Sequence, residues 1–211
     1  MPSYPREWSL VMIQRFVAWL VLIVSMALVV PATADTNAPS DAKTVQTGGR
    51  FMLKDHFGRV VTDQDFSGKF MLVYFGYTYC PDVCPTSLQV ITTALEILGK
   101  EADAIQPLFI TVDPERDTAS VLREYLSSFY PTIIGLTGSK AMLESVTKKY
   151  RVFYSKTSEK GADADDYFMD HTASVFFMGP NGEYLARFPY STTSEEMARK
   201  MREIIKKAKT K

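Results

Sequence analysis

The sequence predicts an α/β sandwich of three layers, a mixed central sheet between helices, with a hairpin added at its N-terminal end. Three observations predict it. Short apolar runs that read as strands alternate with segments of helical periodicity. One of those runs, Lys69 to Gly76 (KFMLVYFG), is nearly all apolar, as a strand covered on both faces must be. After the alternation the chain closes with a second hairpin and a helix, which makes the sheet mixed rather than all-parallel.

The elements follow in order. Residues 1–34 read as an export signal or an N-terminal membrane anchor and take no part in the fold. Arg6 and Arg15 give a positive flank, Phe16 to Val30 is apolar apart from Ser25, and Pro31-Ala32-Thr33-Ala34 has a small-x-small ending. That apolar stretch is short beside the roughly 17–25 residues of a membrane span. Cleavage after Ala34 is therefore expected ahead of anchoring through 16–30. In both cases the flank stays in the cytoplasm and the rest is exported, which places the protein in the periplasm or on the exported face of the inner membrane. Residues 35–48 read as a linker, and 49–211 as one domain.

Phe51 to Lys54 and Arg59 to Thr62 flank Asp55-His-Phe-Gly58, a hairpin with a Gly-bearing turn. His56 is expected to be an exposed turn residue. Lys69 to Gly76 is the buried strand. A helix begins near Pro85, which suits the first helical position, and Leu88, Ile91, Leu95 and Leu98 follow helical spacing. Ile105 to Val112 is the next strand, ended by Asp113-Pro114. A helix over about 118–129 turns Val121, Leu122, Tyr125 and Leu126 inward, with Asp117 or Thr118 as its cap. Thr132 to Leu136 is a short strand, Ser139 to Tyr150 a helix with Met142, Leu143 and Val146 inward, and Val152 to Tyr154 is extended. Residues 155–170 form a polar, acidic stretch. Thr172 to Met178 and Tyr184 to Phe188 pair across Gly179-Pro-Asn-Gly182, and His171 opens the first of these two strands. Thr193-x-x-Glu196 is a capping box for a last helix that buries Met197, Met201, Ile204 and Ile205. There is no internal repeat.

Lys plus Arg and Asp plus Glu both number 24, so the formal net charge is zero. With no basic cluster, a nucleic-acid partner is excluded. Lys148-Lys149 and Lys206-Lys207 read as solvated helix faces.

Chemistry concentrates on Cys80 and Cys84, the chain's two cysteines. They lie in Gly76-Tyr-Thr-Tyr-Cys80-Pro-Asp-Val-Cys84-Pro85, between the buried strand and a helix start. A strand running into a Cys-bearing turn at a helix N-terminus is how a thioredoxin-like fold presents its thiols. Cys84 sits at or just before the helix N-terminus, where unpaired N–H groups favour the thiolate, the form that binds metals and attacks disulfides. In an exported chain two cysteines could also close a structural disulfide. His171, after Asp170, stands at the mouth of a core strand. Two thiolates and one imidazole make a soft set of three ligands. Structural zinc ordinarily takes four and iron–sulfur clusters take four cysteines, whereas copper accepts three. The same thiols could instead exchange disulfides or reduce a peroxide, although oxidoreductases usually space them by two residues and here the spacing is three.

The chain resembles the Sco/SenC family of copper chaperones. The matching pieces are the cysteine box from Gly76 to Pro85, Thr111-Val-Asp-Pro-Glu-Arg-Asp-Thr118, Asp170-His171-Thr172 and Gly179-Pro-Asn-Gly182, in the family's order across roughly residues 50–205. The resemblance implies a thioredoxin-like fold and one copper, Cu(I) or Cu(II), held by Cys80, Cys84 and His171. It implies delivery of copper to the binuclear copper (CuA) centre of cytochrome c oxidase, with the copper-bearing subunit, a copper donor protein and a thiol reductant as partners. Some relatives look more like thiol reductases that act on the oxidase cysteines, with Cys80 and Cys84 as the redox-active pair. Thr111 to Thr118 carries no metal role in this reading. The short N-terminal apolar segment departs from a membrane-anchored pattern.

Overall fold

The computed structural model describes residues 47–158, 163 and 166–209. The segment read as an export signal or membrane anchor, and the expected linker as far as residue 46, lie outside them. No helix among the described residues is long and apolar enough to cross a membrane.

A seven-stranded sheet forms the middle layer. Its strands are β1 (Met52–Asp55), β2 (Val60–Thr62), β3 (Phe70–Gly76), β4 (Ile105–Thr111), β5 (Ile134–Thr137), β8 (Ser174–Met178) and β9 (Tyr184–Pro189), in the spatial order β2-β1-β5-β4-β3-β8-β9. The β3, β4 and β5 strands are parallel, and the remaining neighbours are antiparallel. The sheet is mixed, as the sequence predicts. Every residue of β3 is buried, which requires cover on both faces. The helices α1 (Val83–Leu98), α2 (Ala119–Leu126), α3 (Lys140–Tyr150) and α4 (Ser194–Lys209) supply it. A separate two-stranded ribbon joins β6 (Tyr154–Thr157) to β7 (Phe168–His171).

Local signals explain most boundaries. The α2 helix is capped by Thr118, whose side chain accepts from the Val121 N–H, and α3 by Ser139, which accepts from Met142. Half of the capping box of α4 forms, with Glu196 N–H donating to Thr193 Oγ1 at 3.2 Å. Leu88, Ile91, Leu95 and Leu98 of α1 are all buried, and so are Met197, Met201 and Ile205 of α4.

Four expectations need correction. Pro85 is the third residue of α1, not the first, because the helix begins at Val83 before the second thiol. Val121 faces solvent; Leu122 and Leu126 fill the core stripe of a helix only eight residues long. His171 ends β7 instead of opening β8, since residues 168–171 pair with β6 and the chain turns before Ser174. His56 is buried, because the hairpin turn folds against β5 and Gly135 N–H donates to His56 Nδ1 at 3.0 Å.

The β8 register places the site. It runs antiparallel to β3 with Val175 opposite Tyr74. Extending that pairing past the end of β8 brings residues 171–173 level with the chain leaving β3. The ribbon therefore delivers its last residue beside the loop that carries the thiols.

Candidate metal centre

The β3 strand stops at Gly76, whose carbonyl still accepts from Val112 N–H. After six intervening residues α1 begins at Val83. No side chain caps its first turn, and that turn contains no acidic residue. Its free N–H groups therefore meet a sulfur: Cys84 N–H points at Cys80 Sγ, 3.5 Å away. Cys84 is fully buried and Cys80 half-buried, and both are free thiols. Cys84 Sγ lies 3.3 Å from His171 Nε2.

Gly76 makes that placement possible. A Cβ built there would stand 2.9 Å from Cys84 Sγ and 2.9 Å from Phe109. Only a residue without a side chain lets the end of β3 pass this close to the sulfur.

The two thiols are electrostatically unequal, and the thiolate falls on Cys80 rather than on Cys84 as the helix start alone suggests. Cys80 is held down to about 5 chiefly by the hydrogen bond from the Cys84 thiol, helped by the N–H groups of Asp82 and Cys84, against the opposing effect of burial. Cys84 moves up, because it keeps the proton of that shared bond and because it is buried. The reduced site thus exposes one thiolate, Cys80, over a buried neutral thiol. His171 is pushed below its usual value mainly by burial, with the Cys80 charge working the other way. A neutral imidazole with a lone pair is what metal coordination requires. Its ring stands edge-on to Tyr74 and Tyr77, with centroids 6.2 and 5.9 Å apart. Outside it, Phe153, Tyr154, Ser155, Asp170, His171 and Thr172 line an open depression of about 440 Å³.

Cys80, Cys84 and His171 thus gather at one corner of the domain, but not as a closed cage. No trio of His, Cys, Asp or Glu side chains among the described residues already stands at mutual metal-binding distance. Cys84 and His171 are in contact, and Cys80 leans on the helix N-terminus beside them. The donor set suits a soft ion. His56 belongs to a different place, the turn between β1 and β2.

A supporting group escapes a reading confined to the thiols and histidines. Asp117 is buried and receives Thr78 N–H at 3.1 Å, Thr78 Oγ1 at 2.6 Å and Thr111 Oγ1 at 2.6 Å. It latches the loop two residues before Cys80 to the end of β4. Asp113 accepts from Tyr167 Oη at 2.9 Å and from Arg116 Nε at 2.5 Å. The visible signal is four charges packed into Asp113-Pro-Glu-Arg-Asp117 directly after a buried strand.

The sequence profile described as SCO1/SenC matches residues 39–206. The chain belongs to the SCO1/SenC family. The protein sco1 of Schizosaccharomyces pombe is 44% identical over 155 residues, which cover 73% of this chain and 59% of that protein's length. A SCO2-like protein of Rickettsia felis is 41% identical over 168 residues, 79% of this chain and 80% of the relative. Among solved structures, Bradyrhizobium japonicum ScoI with copper bound is 44% identical and aligns with a TM-score of 0.67 over 74% of this chain and 98% of that one. The fold is the thioredoxin-like α/β sandwich of the SCO1/SenC proteins. The motifs from Gly76 to Pro85 and from Asp170 to Thr172 lie within the matched span.

Proposed function

We propose that this protein is a copper-binding metallochaperone that delivers copper to the CuA centre of cytochrome c oxidase, or prepares the thiols of that centre. Copper is the cargo, one ion per chain, held by Cys80, Cys84 and His171. The observation that carries this reading is the 3.3 Å approach of His171 Nε2 to Cys84 Sγ with Cys80 beside them, in a family with a relative solved with copper bound. The donors are two sulfurs and a neutral imidazole, which favour copper over magnesium or calcium. Loading needs both thiols reduced, and the exported compartment tends to oxidise them, so a thiol reductant acts before a copper donor. A small turn of the Cys80 side chain toward the Cys84–His171 pair completes the shell. Three ligands at an open corner leave room for a thiolate of the recipient, so transfer proceeds by ligand exchange. The reading of residues 1–34 as an export signal or N-terminal membrane anchor supports a place in the periplasm or on the exported face of the inner membrane.

The half-buried Cys80 thiolate also favours a second reading, a thiol–disulfide reductase acting on oxidase cysteines. His171 separates the two. Anaerobic copper titration of the reduced protein, followed by absorption spectroscopy, should give 1:1 binding with a sulfur-to-Cu(II) charge-transfer band. Cys80→Ala and Cys84→Ala should abolish the band. His171→Ala should weaken binding by more than the roughly 10–100-fold typical of outer-shell changes. Wild-type protein without 1:1 binding, together with disulfide turnover that survives His171→Ala, would establish the reductase instead.

A further inference from the structure

Arg116 stands where two parts of the site meet. Its Nε donates to the buried Asp113, and its Nη1 donates to the Tyr167 carbonyl at 3.0 Å. Its guanidinium lies 3.6 Å from the Tyr167 ring centroid, 4.7 Å from that of Tyr79 and 5.8 Å from that of Tyr77. Tyr77 and Tyr79 belong to the loop that ends in Cys80. Tyr167 immediately precedes β7, whose last residue is His171. One cation therefore touches both the segment bearing the thiols and the segment bearing the imidazole.

The ribbon of β6 and β7 is not hydrogen-bonded into the large sheet. The β8 register brings the end of the ribbon level with the thiol loop, and side chains fix how it seats there. Arg116 does so at a cost, because its Nη2 is buried with no acceptor among the described residues. A residue kept only for its hydrogen bonds would use that donor. The arrangement favours ring stacking and one carbonyl contact over full pairing, which is the geometry of a spacer between two segments.

We propose that Arg116 is a positioning residue that sets the His171 imidazole against the two thiols by tying Tyr167 to the loop before Cys80. Its consequence for copper rests on the function proposed above; its consequence for the ring does not. A planar guanidinium can lie flat on aromatic rings while donating from a rigid in-plane fork; an ammonium has donors but no flat face to stack. Lysine should therefore fail to replace it.

The test uses the purified full chain, reduced and metal-free, and reads the nuclear Overhauser contact between the His171 and Tyr77 rings, whose centroids are 5.9 Å apart. Arg116→Lys and Arg116→Ala are expected to lose that contact while far-ultraviolet circular dichroism stays unchanged. They should also weaken copper binding about tenfold or more and alter the charge-transfer band. Ile205→Ala, in the helix whose Arg202 reaches the far end of α1, controls for general loosening and should keep the contact. Retention of the His171–Tyr77 contact in Arg116→Lys overturns the proposal, whatever happens to affinity, and so does its loss in Ile205→Ala. Wild-type protein that takes no copper removes the chaperone reading and leaves the ring contact to decide this one.

Discussion

Gly76 and Asp55 are single residues on which local geometry turns, for opposite reasons. Gly76 matters for what it lacks. Gly76→Ala pushes a methyl group against Cys84 Sγ and Phe109, an overpacking of about 1–3 kcal/mol. Chemical denaturation should register that loss, and copper affinity should fall as the sulfur is displaced. Asp55 matters for its charge. It is fully buried and accepts from Phe57 N–H and Arg59 N–H, both at 2.9 Å, and from the Arg59 guanidinium. Burial pushes its carboxyl up, but the bonds from Arg59 and Phe57 outweigh that and hold it below the ordinary value of 3.8. Its folded pKa is therefore lower than its unfolded one. The stability it contributes is fully present above about pH 3.8 and is lost as pH falls through the folded value. Asp55→Asn should flatten this part of the acid limb of a stability–pH curve; an unchanged limb would exclude Asp55 as its source.

Among the elements, the loop between β3 and α1 is held less by its own sequence than by Asp117, from the turn after β4. Asp117 is pushed above the ordinary carboxylate value by burial, in spite of the bonds from Thr111 and Thr78. Its neutral form is thus tolerated in place. Asp117→Asn should cost little, whereas Asp117→Ala strands the Thr78 and Thr111 donors and should cost about 1–3 kcal/mol. Equal losses in the two variants, measured by denaturant unfolding, would mean that charge rather than hydrogen bonding holds the loop. The strands and helices themselves were legible in the sequence: β3 from its unbroken apolar run, α1 from Leu88, Ile91, Leu95 and Leu98, and the β8–β9 hairpin from Gly179-Pro-Asn-Gly182. The misreadings have one physical origin. His56 reads as exposed because a turn looks exposed in isolation, but packing against β5 buries it. His171 reads as the start of β8 because no local signal marks the partner of β7, which is β6, some 15 residues back in the chain.

For the whole molecule, copper should couple to stability. A ligand that binds only the folded state adds about 2.7 kcal/mol at a free concentration of one hundred times Kd. For a domain of this size that corresponds to a thermal shift of roughly 5–10 °C, reduced by whatever copper the unfolded thiols retain. Differential scanning of the reduced protein with and without copper measures it, and the shift should vanish in Cys84→Ala. The alternation of strands and helices, the buried central strand, the family motifs and the three side chains that could act together are all legible in the linear chain. Those follow from local periodicity and from residue chemistry. It takes tertiary contacts to bring His171 to Cys84 and to let Asp113, Arg116 and Asp117 support the corner where they meet. Each depends on contacts between segments 39 to 87 residues apart along the chain, and no local pattern encodes a partner at that distance.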